Sequence, residues 1–130
     1  MNIFYADDDE DDREIFSEAI LTINPTTRIT LSKDGQEALE TLRKGLQLPN
    51  YIFLDINMPR MNGRECLAEL KADSRLKNIP VFITSTSAGV EERKTLELLG
   101  AQGFMPKASN LNEFIKTLRV IVGYEEELAV

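Results

Sequence analysis

Short apolar runs alternate along this chain with longer segments in which apolar residues recur every three or four positions. The runs are Ile3-Phe4-Tyr5-Ala6, Arg28-Ile29-Thr30-Leu31, Tyr51-Ile52-Phe53-Leu54, Val81-Phe82-Ile83-Thr84 and Gly103-Phe104-Met105. Each has the length of a strand. The second alternates polar with apolar and belongs at a sheet edge. The third and fourth are almost wholly apolar, as strands covered on both faces are.

Five helical patterns lie between and after these runs. Ile15, Phe16, Ala19, Ile20 and Ile23 mark the apolar face of the first, and Ala38, Leu39, Leu42 and Leu46 that of the second. Leu67 and Leu70 mark the third. Leu111, Phe114, Ile115, Leu118 and Val122 give the fifth the clearest stripe, and Ser109 is placed to cap its N-terminus. The fourth, Val90 to Leu99, carries Glu91-Glu92-Arg93-Lys94 and the weakest stripe, so it is held loosely. Strands alternating one-for-one with helices predict an α/β fold with a parallel sheet. Asp34-Gly35, Asn62-Gly63 and Leu99-Gly100 supply turns and helix ends. Residues 1–123 read as one domain and 124–130 as an acidic tail.

Charge narrows the partners. A net charge of −7 over 130 residues is repelled by phosphate backbones, which argues against direct nucleic-acid binding. With no histidine, His-based metal sites and Ser-His-Asp triads are excluded. Cys66 is the one cysteine, so no internal disulfide forms, and its place beside Leu67 suits a small apolar filler. The N-terminal residues lack a basic leader and no run approaches the ~20 apolar residues of a membrane span, so the expected compartment is the cytoplasm.

In an open parallel sheet, ligands sit beyond the carboxyl ends of the strands. Asp7 and Asp8 follow the first run, Asp55 the third, Ser85 the fourth, and Lys107 the fifth. Two carboxylates 4 Å apart at an effective dielectric of ~20 repel by ~4 kcal/mol. A divalent cation and Lys107 can offset that repulsion. Oxygen donors alone favour Mg²⁺, with Mn²⁺ as a substitute, and a carboxylate beside such a cation and an ammonium is equipped to attack phosphorus. The run Asp7 to Asp12 has other readings. Asp9 to Asp12 suit a helix N-terminus. As a Ca²⁺ loop the run fails, because Asp12 stands where that loop needs glycine.

These stretches carry a resemblance. Asp7-Asp8 after an apolar strand, Phe53-Leu54-Asp55-Ile56-Asn57-Met58-Pro59-Arg60-Met61-Asn62-Gly63, Pro80 to Ser85, and Gly100 to Lys107 resemble the receiver domains of two-component response regulators over nearly all of residues 2–122. The resemblance implies a flavodoxin-like, doubly wound five-stranded parallel sheet in the order 2-1-3-4-5 with five helices. It implies Asp55 as phosphoacceptor, Asp8 as a direct Mg²⁺ ligand, Asp7 assisting through water, and Asn57 offering its backbone carbonyl. Ser85 matches the switch hydroxyl, Lys107 the phosphoryl-pairing lysine, and Phe104 the aromatic that turns inward on activation. The implied partners are a histidine kinase or phosphotransfer protein as donor and a separate, unidentified target protein, with a weak homodimer left open. The expected role is a stand-alone signalling phosphoacceptor rather than a turnover enzyme.

The chain departs from the family in three places. Ala108 follows Lys107 where proline is usual, Phe104 stands in place of the common tyrosine, and Thr84, Thr86 and Ser87 flank Ser85 with further hydroxyls. The same residues admit two other readings. One is a degenerate receiver serving as a scaffold. The other is a Mg²⁺-dependent Asp-nucleophile phosphohydrolase, which wants an Asp two places after the nucleophile, where this chain has Asn57.

Overall fold

A computed structural model describes residues 1–86, 89–107 and 110–123. The alternation read from the sequence folds as β1 (Asn2–Ala6), α1 (Glu10–Ile23), β2 (Arg28–Ser32), α2 (Gly35–Lys44), β3 (Tyr51–Asp55), α3 (Gly63–Ala72), β4 (Val81–Ser85), α4 (Val90–Leu99), β5 (Gly103–Pro106) and α5 (Leu111–Val122). All strand pairs are parallel, and the order is β2-β1-β3-β4-β5, the doubly wound flavodoxin-like arrangement. Order reverses between β1 and β3, and there the carboxyl ends open a crevice.

Helices cover both faces. One apolar layer joins Phe4, Ile52, Leu54, Val81 and Ile83 to α2, α3 and α4 through Ala38, Leu39, Leu67, Leu70 and Leu96. The other joins Ile3, Tyr5, Phe53 and Met105 to α1 and α5 through Phe16, Ile20, Phe114 and Leu118. Alternate residues of a strand face opposite layers, so the register decides which terminal side chains share a face. β3 and β4 are buried almost throughout, while β2 at the edge is largely exposed.

The helix faces follow the expected stripes with two corrections. Leu46 does not extend the α2 face: that helix ends at Lys44 with Gly45 as its C-cap, and Leu46 is 98% exposed. An apolar residue one turn on continues a stripe only if the backbone stays helical, and the extended Gly45 takes it out. The N-cap of α5 is Asn110, whose side chain accepts from Glu113 N–H, and not Ser109, which lies outside the described residues. So does the tail 124–130. Helix α4 buries Leu96 alone, against Phe114, Leu118 and Val122 for α5. One buried leucine is worth about 1.5–3 kcal/mol, so α4 is the most weakly anchored helix.

Gly35 and Gly63 are needed for close approach, not for a turn conformation. A Cβ at Gly63 would overlap the Asp55 carbonyl oxygen, and one at Gly35 the Met61 carbonyl. Burial pushes the Cys66 thiol up to about 12, which fits a filler rather than a reactive group.

Candidate functional site

Register brings the candidate residues to the sheet edge. Phe53 pairs with Tyr5 and Phe82, and Asp55 pairs with Thr84, which pairs with Met105. Counting in twos, Asp7, Asp55, Thr84 and Lys107 therefore face the α1–α5 side together. Asp55 and Ser85 are the last residues of their strands rather than the first beyond them. Asp7 continues the β1 pairing, its N–H donating to the Ser32 carbonyl at 3.0 Å.

Asp7, Asp8 and Asp55 each offer a carboxylate oxygen, and these lie within 4.8 Å of one another. Lys107 closes the cluster. Its Nζ lies 2.8 Å from Asp7 Oδ2, 2.9 Å from Asp12 Oδ2 and 3.4 Å from Asp55 Oδ1. Asp7 is wholly buried and Asp55 nearly so, whereas Asp8 is exposed. The Asp7 carboxylate is heavily engaged: Oδ1 accepts the Asp9 N–H at 2.9 Å, and Oδ2 accepts the Tyr5 hydroxyl at 2.5 Å besides the ammonium. The freer Asp8 and Asp55 oxygens are thus better disposed for direct ligation. Three carboxylates with no nitrogen or sulfur donor suit a hard divalent cation.

Charge and burial tune these groups. Burial, and then the Asp7 charge, push the Asp55 carboxyl up to about 6, with Lys107 opposing the rise and Asp8 adding to it. Burial alone would lower the Lys107 ammonium. Its bonds to Asp12 and Asp7 and the charge of Asp55 outweigh that and hold it above the ordinary lysine range. Burial and the neighbouring Asp7 carboxylate keep the Tyr5 phenol protonated far beyond its usual range, so it acts as a donor.

The loop leaving β3 is braced from β2. Arg60 adopts φ 64°, and its guanidinium donates to both Asp34 oxygens at 3.0–3.2 Å. Burial would raise Asp34, but the Glu37 N–H and Arg60 outweigh it and hold the carboxyl below its usual range. The Gly35 N–H donates to the Met61 carbonyl at 3.1 Å and the Gly63 N–H to the Ile56 carbonyl at 2.8 Å. Asn57 is exposed in this loop. Ser85 and Phe104, one register step from Thr84, belong to the opposite face. With Arg93 and Thr86 they border a cavity of about 40 Å³. The Arg93 guanidinium lies 5.6 Å from the Phe104 ring centre, a cation–π contact. The peptide after Lys107 lies outside the described residues.

Asp12 and Tyr5 were not foreseen as site residues. Asp12 reads in the sequence as helix N-terminal charge, and nothing in the spacing signals its reach to Lys107, 95 positions away. Tyr5 reads as core. Its place two residues before Asp7, hence on the same strand face, is the one available signal.

A sequence model of the family described as response regulator receiver domain matches residues 3–119. Response regulator Rcp1 of Synechocystis sp. is 28% identical over 127 residues, covering 94% of this chain and 86% of that protein. Response regulator MprA of Mycobacterium leprae is 30% identical over 122 residues, and the 94% of this chain that aligns spans 51% of MprA. Among solved structures, the phosphorylated cyanobacterial phytochrome response regulator RcpA superposes with a TM-score of 0.84 at 31% identity, covering 92% of this chain and 89% of that one. The Mn²⁺-bound form of Rcp1 superposes with a TM-score of 0.81 at 29% identity, covering 92% and 90%.

Proposed function

The chain belongs to the response regulator receiver domain family, and from that premise we propose that Asp55 accepts a phosphoryl group in a Mg²⁺-dependent reaction. The observation that supports this most is the meeting of Asp7, Asp8 and Asp55 at one sheet edge, with the Lys107 ammonium against Asp7 and Asp55. An Asp55 oxygen attacks phosphorus of a phosphohistidine, on a histidine kinase or phosphotransfer protein. The P–O bond forms as the P–N bond breaks, and the departing imidazole keeps the electron pair. Mg²⁺ (or Mn²⁺), when bound, would supply positive charge to offset that of the phosphoryl oxygens. Asp8 and Asp55, with the Asn57 carbonyl, would hold that cation directly, and Asp7 would act through water. Lys107 donates to a phosphoryl oxygen. Water attack at phosphorus returns the Asp55 carboxylate and releases phosphate, so the protein turns over only its own modification.

The signal leaves by way of Ser85 and Phe104. A phosphoryl group adds nearly two negative charges and three acceptor oxygens. Bonds from Ser85 and Lys107, at about 1.5–3 kcal/mol each, approach the ~5.5 kcal/mol that carries a two-state element from 1:99 to 99:1. The small cavity between Ser85 and Phe104 and the single buried leucine of α4 support movement there. The face of α4, β5 and α5 then engages a separate target protein in the cytoplasm.

Incubation with acetyl phosphate and Mg²⁺ should add the mass of one phosphoryl group, and Asp55→Asn should abolish the gain. An unlabelled wild-type chain would leave only a scaffold role. Amide exchange should change over α4 and β5 on labelling, and an unchanged pattern there would remove the proposed output face.

A further inference from the structure

We infer that Arg60, forked onto Asp34, is a positioning residue that sets the shape of the loop after Asp55 and so tightens the hold of this site on its divalent cation. The inference rests on the metal-assisted phosphoacceptor reading above and names what shapes one wall of that site.

The loop from Ile56 to Asn62 carries the chain away from Asp55, and the reading above takes one oxygen donor from it, the Asn57 carbonyl. Its ends are fixed by backbone bonds: the Ile56 N–H donates to the Thr84 carbonyl at 3.2 Å and the Gly63 N–H to the Ile56 carbonyl at 2.8 Å. Between them Met58 is buried, but Asn57, Pro59 and Arg60 are exposed. Arg60, at φ 64°, is the one non-glycine residue with a positive φ among the described residues. That region costs a residue bearing a Cβ about 1–2 kcal/mol, and it persists where the surroundings over-determine it. Asp34 supplies the determination, accepting Arg60 Nε at 3.2 Å and Nη2 at 3.0 Å and 3.1 Å. The Gly35 N–H, donating to the Met61 carbonyl at 3.1 Å, is a second tie beside it.

Asp34 is a firm anchor. It is the N-cap of α2, its Oδ1 accepts the Glu37 N–H at 2.8 Å, and its side chain is 11% exposed. It stands two residues beyond Ser32, whose carbonyl accepts the Asp7 N–H. The fork therefore ties the β3 side of the crevice, with Asp55, to the β1–β2 side, with Asp7. The Arg60 side chain is 61% exposed, so the pair adds little to stability. Its contribution is geometric, because a guanidinium fork on a carboxylate fixes both distance and direction. Mg²⁺ tolerates little departure from octahedral geometry, so a loop free to drift presents its carbonyl poorly and affinity falls.

The test titrates metal-free wild type, Arg60→Gly, Arg60→Lys, Asp34→Asn and the double variant Arg60→Gly/Asp34→Asn with Mn²⁺, reading free metal by electron paramagnetic resonance. Glycine accepts φ 64°, so Arg60→Gly keeps the Tm near wild type, and asparagine still caps α2. Arg60→Gly and Asp34→Asn change net charge in opposite directions. Loss of the Arg60 cation would by itself tighten cation binding, yet both variants should bind Mn²⁺ about three- to tenfold more weakly, the low end for partners that orient metal ligands because this fork is partly exposed. Arg60→Lys keeps the charge without the fork and should be weakened too. The double variant should be no weaker than the weaker single one, since both remove the same interaction. A wild type that binds no Mn²⁺ would overturn the metal-assisted reading and this one with it. Wild type that binds Mn²⁺, with Arg60→Gly equal or tighter, or with losses that add in the double variant, would overturn this inference alone.

Discussion

Replacing Asp55 by Asn should make the metal-free protein more stable at neutral pH, although it removes the reacting group. The Asp55 carboxyl sits at about 6 in the fold, against ~3.9 for an unperturbed aspartate. Between those values the folded chain binds more protons than the unfolded one, so the carboxyl's contribution to stability falls as pH rises from about 4 to about 6 and stays at its low level above that. A difference of that size corresponds to about 3 kcal/mol at pH 7. Asp55 is 5% exposed, so solvent screening does not erase it. For a chain of this length that is a rise in Tm of about 10 °C. The assay is thermal and urea denaturation of both proteins in EDTA from pH 4 to 7.5, with the two curves converging at the acid end. Mg²⁺ at a hundredfold over its Kd should return about 2.7 kcal/mol to wild type and less to Asp55→Asn. Equal stabilities at pH 7 without metal, or a gap that widens toward pH 4, would refute the idea that burial and repulsion among the carboxylates destabilise this edge.

Other perturbations separate the remaining contributions. Tyr5→Phe keeps the ring that stacks on Phe16 with centroids 4.1 Å apart but deletes the donor to Asp7. It should cost about 1–3 kcal/mol in urea denaturation, and no loss would mean the hydroxyl bond is not formed. Gly63→Ala should destabilise by about 3 kcal/mol or more and weaken Mn²⁺ binding, because its Cβ meets the Asp55 carbonyl. Gly89→Ala adds an atom with nothing among the described residues within 4 Å. Gly89 is the N-cap of α4, where alanine caps less well than glycine, so the gain in unfolded-chain rigidity is offset and the change should be close to neutral by the same measurement. Arg60→Ala should cost about 1 kcal/mol through the lost Asp34 contact, whereas Arg60→Gly should come close to wild type because glycine accepts φ 64° without strain. Equal losses in the two Arg60 variants would show that strain is absent there.

The alternation of short apolar runs with helix-period segments was sufficient for an α/β sheet of parallel strands, because burial on both faces leaves nearly continuous apolar strands. Asp7, Asp8, Asp55 and Lys107 were legible for a related reason: residues at strand ends share an edge wherever the strands are parallel, whatever lies between them. Phe104 and Ser85 were legible as neighbours of that edge, but their assignment to the far face required the register of β4 against β3 and β5. A one-residue slip would reverse it. Leu46 and Ser109 misled because a periodic stripe does not say where helical backbone stops, and caps are set by a single dihedral pair.

Tertiary structure alone decided how the Lys107 ammonium is shared. The reach of Asp12 depends on how α1 packs beside α5 on one face of the sheet, and that docking follows from packing of Phe16, Ile20, Phe114 and Leu118 rather than from any local pattern near residue 12. The same holds for the Tyr5 bond to Asp7 and the Arg60 brace on Asp34. Local sequence determines which groups carry charge and which elements bear them, since both depend on neighbours along the chain. Distances between charges on different elements come from close packing of the whole interior, and Coulomb energies vary steeply with those distances.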